Sequence, residues 1–141
     1  MIGEGEDEDK IRNRIEELGI EDKVIMLGLR KDIAELLQAM DVFVFPSNYE
    51  GLGIALLEAQ ASGLICFASD KVIPQEVKVT KELTFLQLGN PHVWSNAIVQ
   101  NSYNNDREKM YESVKKSSYE IGVAAIELQE NFILMEKTYE N

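Results

Sequence analysis

Residues 42–64 constrain the fold more than any other part of the chain, because a strand, an irregular turn and a helix follow one another there without a gap. Val42 to Phe45 is a short apolar run of β-branched and aromatic residues, the pattern of a strand covered on both faces in a parallel sheet. Pro46 ends it. Gly53 to Ser62 is rich in Ala, Leu and Gln, and Gly63 stands where a left-handed residue closes a helix. In a unit of this kind the loop lies at the carboxyl end of the strand. The free N–H groups of the helix's first turn then face whatever binds there.

One residue of this helix does not match its surroundings. Ile54, Ala55, Leu56, Leu57, Ala59 and Ala61 leave almost no polar face, so the pattern predicts a helix packed on more than one side with Glu58 buried in its middle. Glu50 stands eight positions earlier, between Tyr49 and the flexible run Gly51, Leu52, Gly53. Two readings remain open on residue types. In one, Glu50 complements the helix dipole and Glu58 pairs with a structural Arg or Lys. In the other, two carboxylates bracket an anion-binding helix terminus and belong to a ligand site.

The flanking sequence alternates in the same way. An acidic start at Asp7, Glu8 and Asp9 precedes a helical pattern of Ile11, Ile15 and Leu18 that closes at Gly19. Dipole complementation explains those acids without a metal. Lys23 to Leu27 reads as a strand ended by Gly28, and Asp32 as the cap of a helix with an apolar face of Ile33, Leu36, Leu37 and Met40. Further strands are expected at Ile65 to Ala68 and Thr84 to Leu88, and helices at about 91–100, 107–117 and 121–139. This order predicts an α/β fold, a doubly wound, Rossmann-like parallel sheet with helices on both faces and its ligand at the carboxyl edge.

Composition narrows the function. With 141 residues, 45% of them hydrophobic, the chain is expected to form one domain with a real core. A formal net charge of −11 argues against nucleic acid or an anionic membrane as a direct partner. No stretch is apolar and long enough to span a membrane, and Cys66, the single cysteine, reads as a buried thiol suited to a reducing cytoplasm. Gly3 and Gly5 do not complete a dinucleotide fingerprint, since Glu8 occupies the third glycine's place. A phosphoacceptor reading fails because Asp41 precedes the central strand, where such a domain needs its Asp at the carboxyl end. His92, the only histidine, reads as a first-turn surface residue.

Pro46, Ser47, the run from Glu50 to Gly53, then Glu58, Ala59, Gly63 and Leu64 resemble the signature of retaining glycosyltransferases of the GT-B fold, glycosyltransferase family 4, whose hallmark is two glutamates separated by seven residues. The resemblance extends from Gly3, Glu4 and Gly5 through the segment 24–28 to the region of Tyr119. Ile65 departs from it, where the family usually has proline.

The resemblance implies a donor-binding C-terminal domain over residues 1–141, short at its N-terminus and lacking the acceptor-binding domain. It implies a nucleotide diphosphate sugar, UDP- or GDP-linked, as donor substrate, with no cofactor and no metal. Glu50 would be the catalytic residue, accepting hydrogen bonds from donor-sugar hydroxyls. Glu58 would take the paired ribose hydroxyls, and Gly51, Leu52 and Gly53 would face the diphosphate. Ser47 belongs to the same donor site, and Arg30 is the candidate beside a base pocket. The family's basic side chains have no counterpart here, and Arg30, Lys31 and Lys71 are the nearest substitutes. A cytoplasmic enzyme of cell-surface polysaccharide synthesis follows, peripheral to a membrane at full length, with the chain alone inactive because catalysis needs both lobes in register. The alternatives are a non-catalytic nucleotide-sugar binding or interaction module and, more distantly, a sugar-nucleotide epimerase.

Overall fold

A computed structural model describes residues 1–101 and 106–120 of the chain. Two compact units divide it, one from Met1 to Glu35 and one from Leu36 onward. In order, the elements are α1 (Glu8–Leu18), α2 (Ile33–Gln38), β1 (Val42–Phe45), α3 (Ile54–Ala61), β2 (Ile65–Ser69), β3 (Leu83–Leu86), α4 (Pro91–Gln100) and α5 (Arg107–Lys115), with a 3-10 turn at Gln75–Val77. The helix expected over 121–139 lies outside the described residues.

In the first unit, α1 forms as expected and Gly19 caps it, donating its N–H to the Glu16 carbonyl. The acids at its start are held locally: Asp7 pairs with Lys10 at 2.5 Å and Glu8 with Arg12 at 2.6 Å. The strand expected at Lys23 to Leu27 does not form. Its partner is the short segment Met1–Gly3, which provides the bonds Leu27 N–H to Met1 O (2.9 Å) and Gly3 N–H to Gly28 O (2.8 Å) but no continuous ladder, and Ile25 is left 71% exposed. Asp32 does not spend its carboxylate on a helix cap. Both its oxygens accept from Arg30, at 2.8 and 2.6 Å, and these bonds pull the Asp32 pKa down.

The second unit carries a three-stranded parallel sheet in the order β1-β2-β3. Val42 pairs with Ile65 and Phe45 with Ala68, while Cys66 pairs with Leu83 and Ser69 with Leu86. The strand buried on both faces is therefore β2, all of whose residues are buried, and not β1. As an edge strand of this sheet β1 is half-buried, with Val44 43% exposed. Along β2, Ile65 and Phe67 pack with Trp94, Ala97 and Ile98 of α4. Cys66 and Ala68 point to the opposite face by strand alternation, and α3 packs against β1 and β2. The expected doubly wound α/β arrangement is thus present. The third strand lies at Leu83–Leu86, one residue earlier at its start and two at its end than the pattern suggested.

Burial in the sheet pushes the Cys66 thiol up to about 12 from 9.0, with the nearby Glu82 charge adding to the effect, and Sγ donates to the Leu64 carbonyl at 3.3 Å. The folded state therefore resists thiolate formation. Its stability is full below the ordinary thiol pKa and declines as pH rises toward 12. Alkylation of the native chain by iodoacetamide at about pH 8 should be negligible and should appear only as the chain unfolds, because the thiolate is the nucleophile. Fast labelling of native protein would show instead that Cys66 is open to solvent.

Candidate functional site

The parallel sheet sends three loops from its carboxyl edge: 46–53 after β1, 70–74 after β2 and 87–90 after β3. The first carries most of the expected residues. Pro46 stops β1, and Ser47 Oγ donates to the Tyr49 carbonyl at 2.7 Å, which fixes the turn. Glu50 is half-buried and its Oε1 accepts the Gly51 N–H at 3.1 Å. Gly51 is therefore engaged by Glu50, so one donor expected to face a ligand is used within the loop.

Gly53 forms the junction with α3. Its φ of +75° lies in the left-handed region, where a side chain is strained, and its carbonyl accepts from Leu56 at 2.9 Å and Leu57 at 3.2 Å. A Cβ there would also stand 3.7 Å from Glu50 Cγ and 3.9 Å from Ile73 Cγ2, so the glycine sits between the β1 and β2 loops. The N–H groups of Leu52, Gly53, Ile54 and Ala55 meet no acceptor among the described residues. They form the open, electropositive end of α3.

Glu58 differs from expectation in its burial. It is exposed, on the solvent side of α3 with Ile54 and Ala55, because Leu56, Ala59 and Gln60 take the inward positions. Among the described residues it forms no ion pair, so the structural pairing considered for it is not made there. The expected burial followed from counting apolar residues around the helix. Tertiary packing covers one side of α3 and leaves Ile54 64% exposed.

The buried polar residue of α3 is Gln60, which the sequence reasoning passed over. Its Nε2 donates to the carbonyls of Leu56 (3.3 Å) and Val77 (2.9 Å). Its Oε1 accepts from Val79 N, Thr80 N and Thr80 Oγ1 at 3.1 to 3.2 Å. The connection between β2 and β3 is thereby tied to α3, beneath the loops. Only its place in an apolar helix could have marked Gln60, and Glu58 shares that signal.

The remaining candidates divide by unit. Arg30 belongs to the Met1–Glu35 unit, where its guanidinium is paired with Asp32. His92 is exposed in the first turn of α4, its N–H bonded to the capping Asn90 Oδ1 at 3.0 Å. Among the described residues no group of acidic, His or Cys side chains is arranged to hold a metal ion.

A glutamate-bearing glycine loop feeding an open helix end, on a parallel sheet, coincides with a match over residues 1–119 to the family model described as glycosyl transferases group 1. This chain belongs to that family. EpsF of Bacillus subtilis is 39% identical to this chain over 101 residues, 71% of the chain and 25% of EpsF. The UDP-Gal:alpha-D-GlcNAc-diphosphoundecaprenol alpha-1,3-galactosyltransferase of Escherichia coli is 39% identical over 71 residues, 50% of the chain and 18% of that protein. The fold is that of HepE from Anabaena, solved in complex with UDP, with a TM-score of 0.67 at 20% identity over 96% of the chain and 40% of HepE. The chain spans a quarter or less of the length of these two curated relatives.

Proposed function

We propose that the chain forms the donor-binding part of a glycosyltransferase that moves a sugar from a nucleoside diphosphate to an acceptor with retention of configuration, in the assembly of a cell-surface polysaccharide. The observation that carries this reading is the loop from β1 to α3, where half-buried Glu50 precedes four N–H groups with no acceptor among the described residues. UDP is the favoured nucleotide, since HepE was solved with UDP and the Escherichia coli relative is named for UDP-Gal.

Each residue then has a physical task. The N–H groups of Leu52, Gly53, Ile54 and Ala55 donate to diphosphate oxygens that gain negative charge as the sugar leaves. Glu50, oriented by the Gly51 N–H, keeps its second oxygen for hydroxyls of the donor sugar. Exposed Glu58 offers two acceptor oxygens to the paired ribose hydroxyls, and Ser47 sets the turn that presents Glu50. Catalysis also needs an acceptor held against the sugar, so the chain alone is expected to bind donor without transferring it.

A thermal titration with UDP, GDP, ADP and UDP-glucose tests this. A ligand that binds the folded state alone stabilises it by about 2.7 kcal/mol at a hundredfold excess over Kd. UDP should raise Tm selectively. Glu58→Gln should weaken that binding about tenfold, since an acceptor becomes a donor, and change stability by no more than about 0.5 kcal/mol because the residue is exposed. A lowered Tm with unchanged affinity would make Glu58 structural, and no response to any nucleotide would overturn the donor-site reading for this chain.

A further inference from the structure

Among the described residues, Glu50 is the one side chain whose oxygen bonds the run of N–H groups from Gly51 to Ala55. It folds back along its own loop, with Oε1 accepting the Gly51 N–H at 3.1 Å and Cγ 3.7 Å from where a Gly53 Cβ would stand. A half-buried carboxylate is therefore already seated at the positive end of α3. It forms no ion pair among the described residues, so its charge is met there by backbone N–H and not by a side-chain cation.

A diphosphate held by the N–H groups of Leu52 to Ala55 lies beside this carboxylate, and like charges in close contact repel. The loaded donor and the spent nucleotide meet that repulsion differently. In the donor the terminal phosphate is esterified to the sugar, whose hydroxyls donate to the second Glu50 oxygen and stand between the two charges. In the product the sugar has gone and the terminal phosphate has gained a further negative charge. It then faces a carboxylate without hydroxyl partners.

The loop gives the carboxylate little room to withdraw. Ser47 Oγ fixes the turn before it by donating to the Tyr49 carbonyl at 2.7 Å, and Gly53 after it is buried at the start of α3.

We propose that Glu50 sets the site's preference for the sugar-loaded donor over the spent nucleoside diphosphate, and so drives product release. This rests on the donor-site reading and gives one of its residues a second task. The charge that receives the sugar hydroxyls expels the nucleotide once those hydroxyls have left.

Calorimetric titration of the chain with UDP and UDP-glucose, at low and moderate salt, tests the inference through two variants. Glu50→Gln keeps the volume and removes the charge, and Glu50→Ala removes the carboxyl group altogether. Both should bind UDP about fivefold to tenfold more tightly than the original does. UDP-glucose should gain nothing, and should bind Glu50→Ala more weakly because its hydroxyls lose their acceptor. The preference for UDP-glucose over UDP should therefore fall about tenfold. Rising salt should shrink the UDP gain, since that gain is the relief of a charge repulsion. Melting curves set a titration temperature at which each variant is folded. If UDP gains less than about twofold, or both nucleotides change by the same factor, the inference is overturned and the donor site survives. If UDP, UDP-glucose, GDP and ADP all fail to bind the original chain, both readings fall together.

Discussion

Replacing Gln60 by leucine is expected to destabilise the second unit by about 2–5 kcal/mol, since the two buried donors of Thr80 lose their partner and each costs about 1–3 kcal/mol. The side chain is fully buried and similar in volume to leucine, so the loss is one of hydrogen bonding and not of packing. The buried Thr80 N–H and hydroxyl would remain in the interior without it, while the Val77 carbonyl and the half-buried Val79 N–H, which also bond each other at 2.9 Å, would each lose one of two partners. Set against a typical domain stability of about 5–15 kcal/mol, this brings the unit close to unfolding. Urea denaturation followed by circular dichroism measures it. A fall of under about 1 kcal/mol would mean that water or rearranged backbone satisfies these groups, and that Gln60 is not the clamp it resembles.

The second large effect is expected at Gly63. Alanine there should cost about 2–4 kcal/mol, combining the left-handed backbone penalty with forced repacking. At φ +74° the residue ends α3 in a Schellman arrangement, with Gly63 N–H bonded to Gln60 O and Leu64 N–H to Ala59 O. A Cβ would stand 2.6 Å from Arg107 Cβ and 2.8 Å from its Cα, so α5 must move. That movement would also disturb the Arg107 guanidinium, which donates to Met40 O, and to Gln38 O at 3.2 Å and Ser62 O at 3.5 Å, tying the ends of α2 and α3 to α5. Denaturation should show a lower midpoint with an unchanged slope, the mark of a native-state loss. Unchanged stability would show that α5 yields freely at this point.

Both effects arise in the helix that carries the candidate site, and so both should reach nucleotide binding indirectly. Gln60 ties α3 to the connection between β2 and β3 and Gly63 closes it against α5, while Glu50, Gly53 and Glu58 belong to the proposed donor site. Nucleotide titration at a temperature where each variant remains folded separates the two groups: Glu58→Gln loses affinity without stability, and Gly63→Ala loses stability first.

The strand, turn and helix of residues 42–64 were legible because each boundary has a local chemical cause. Pro46 has no N–H to continue a ladder, and Gly63 reaches a backbone region that other residues avoid. The same holds for α1, closed at Gly19, whereas for α4 the sequence reading gave only its start near residue 91 and the structure adds Asn90 as its cap. Periodicity supplied the parallel α/β class, and the glutamate and glycine spacing supplied the family.

What local sequence could not decide was which neighbours each element would have. Val42 to Phe45 is if anything more apolar than Ile65 to Ser69, yet β2 is flanked by a strand on either side and β1 on one, so burial follows sheet order. Lys23 to Leu27 has the composition of a strand but among the described residues meets only isolated backbone bonds, to Met1 and Gly3, and strands are stabilised by continuous pairing. Glu58 and Gln60 sit two positions apart on one apolar helix, where periodicity cannot say which way the packed side faces. The tertiary contacts turn Gln60 inward, where three donors and two carbonyls meet it, and leave Glu58 to solvent. Local chemistry determined where the elements start and stop. The assembly of the sheet decided which polar group would be the clamp and which would be left to solvent, because burial depends on the sum of contacts made by distant parts of the chain.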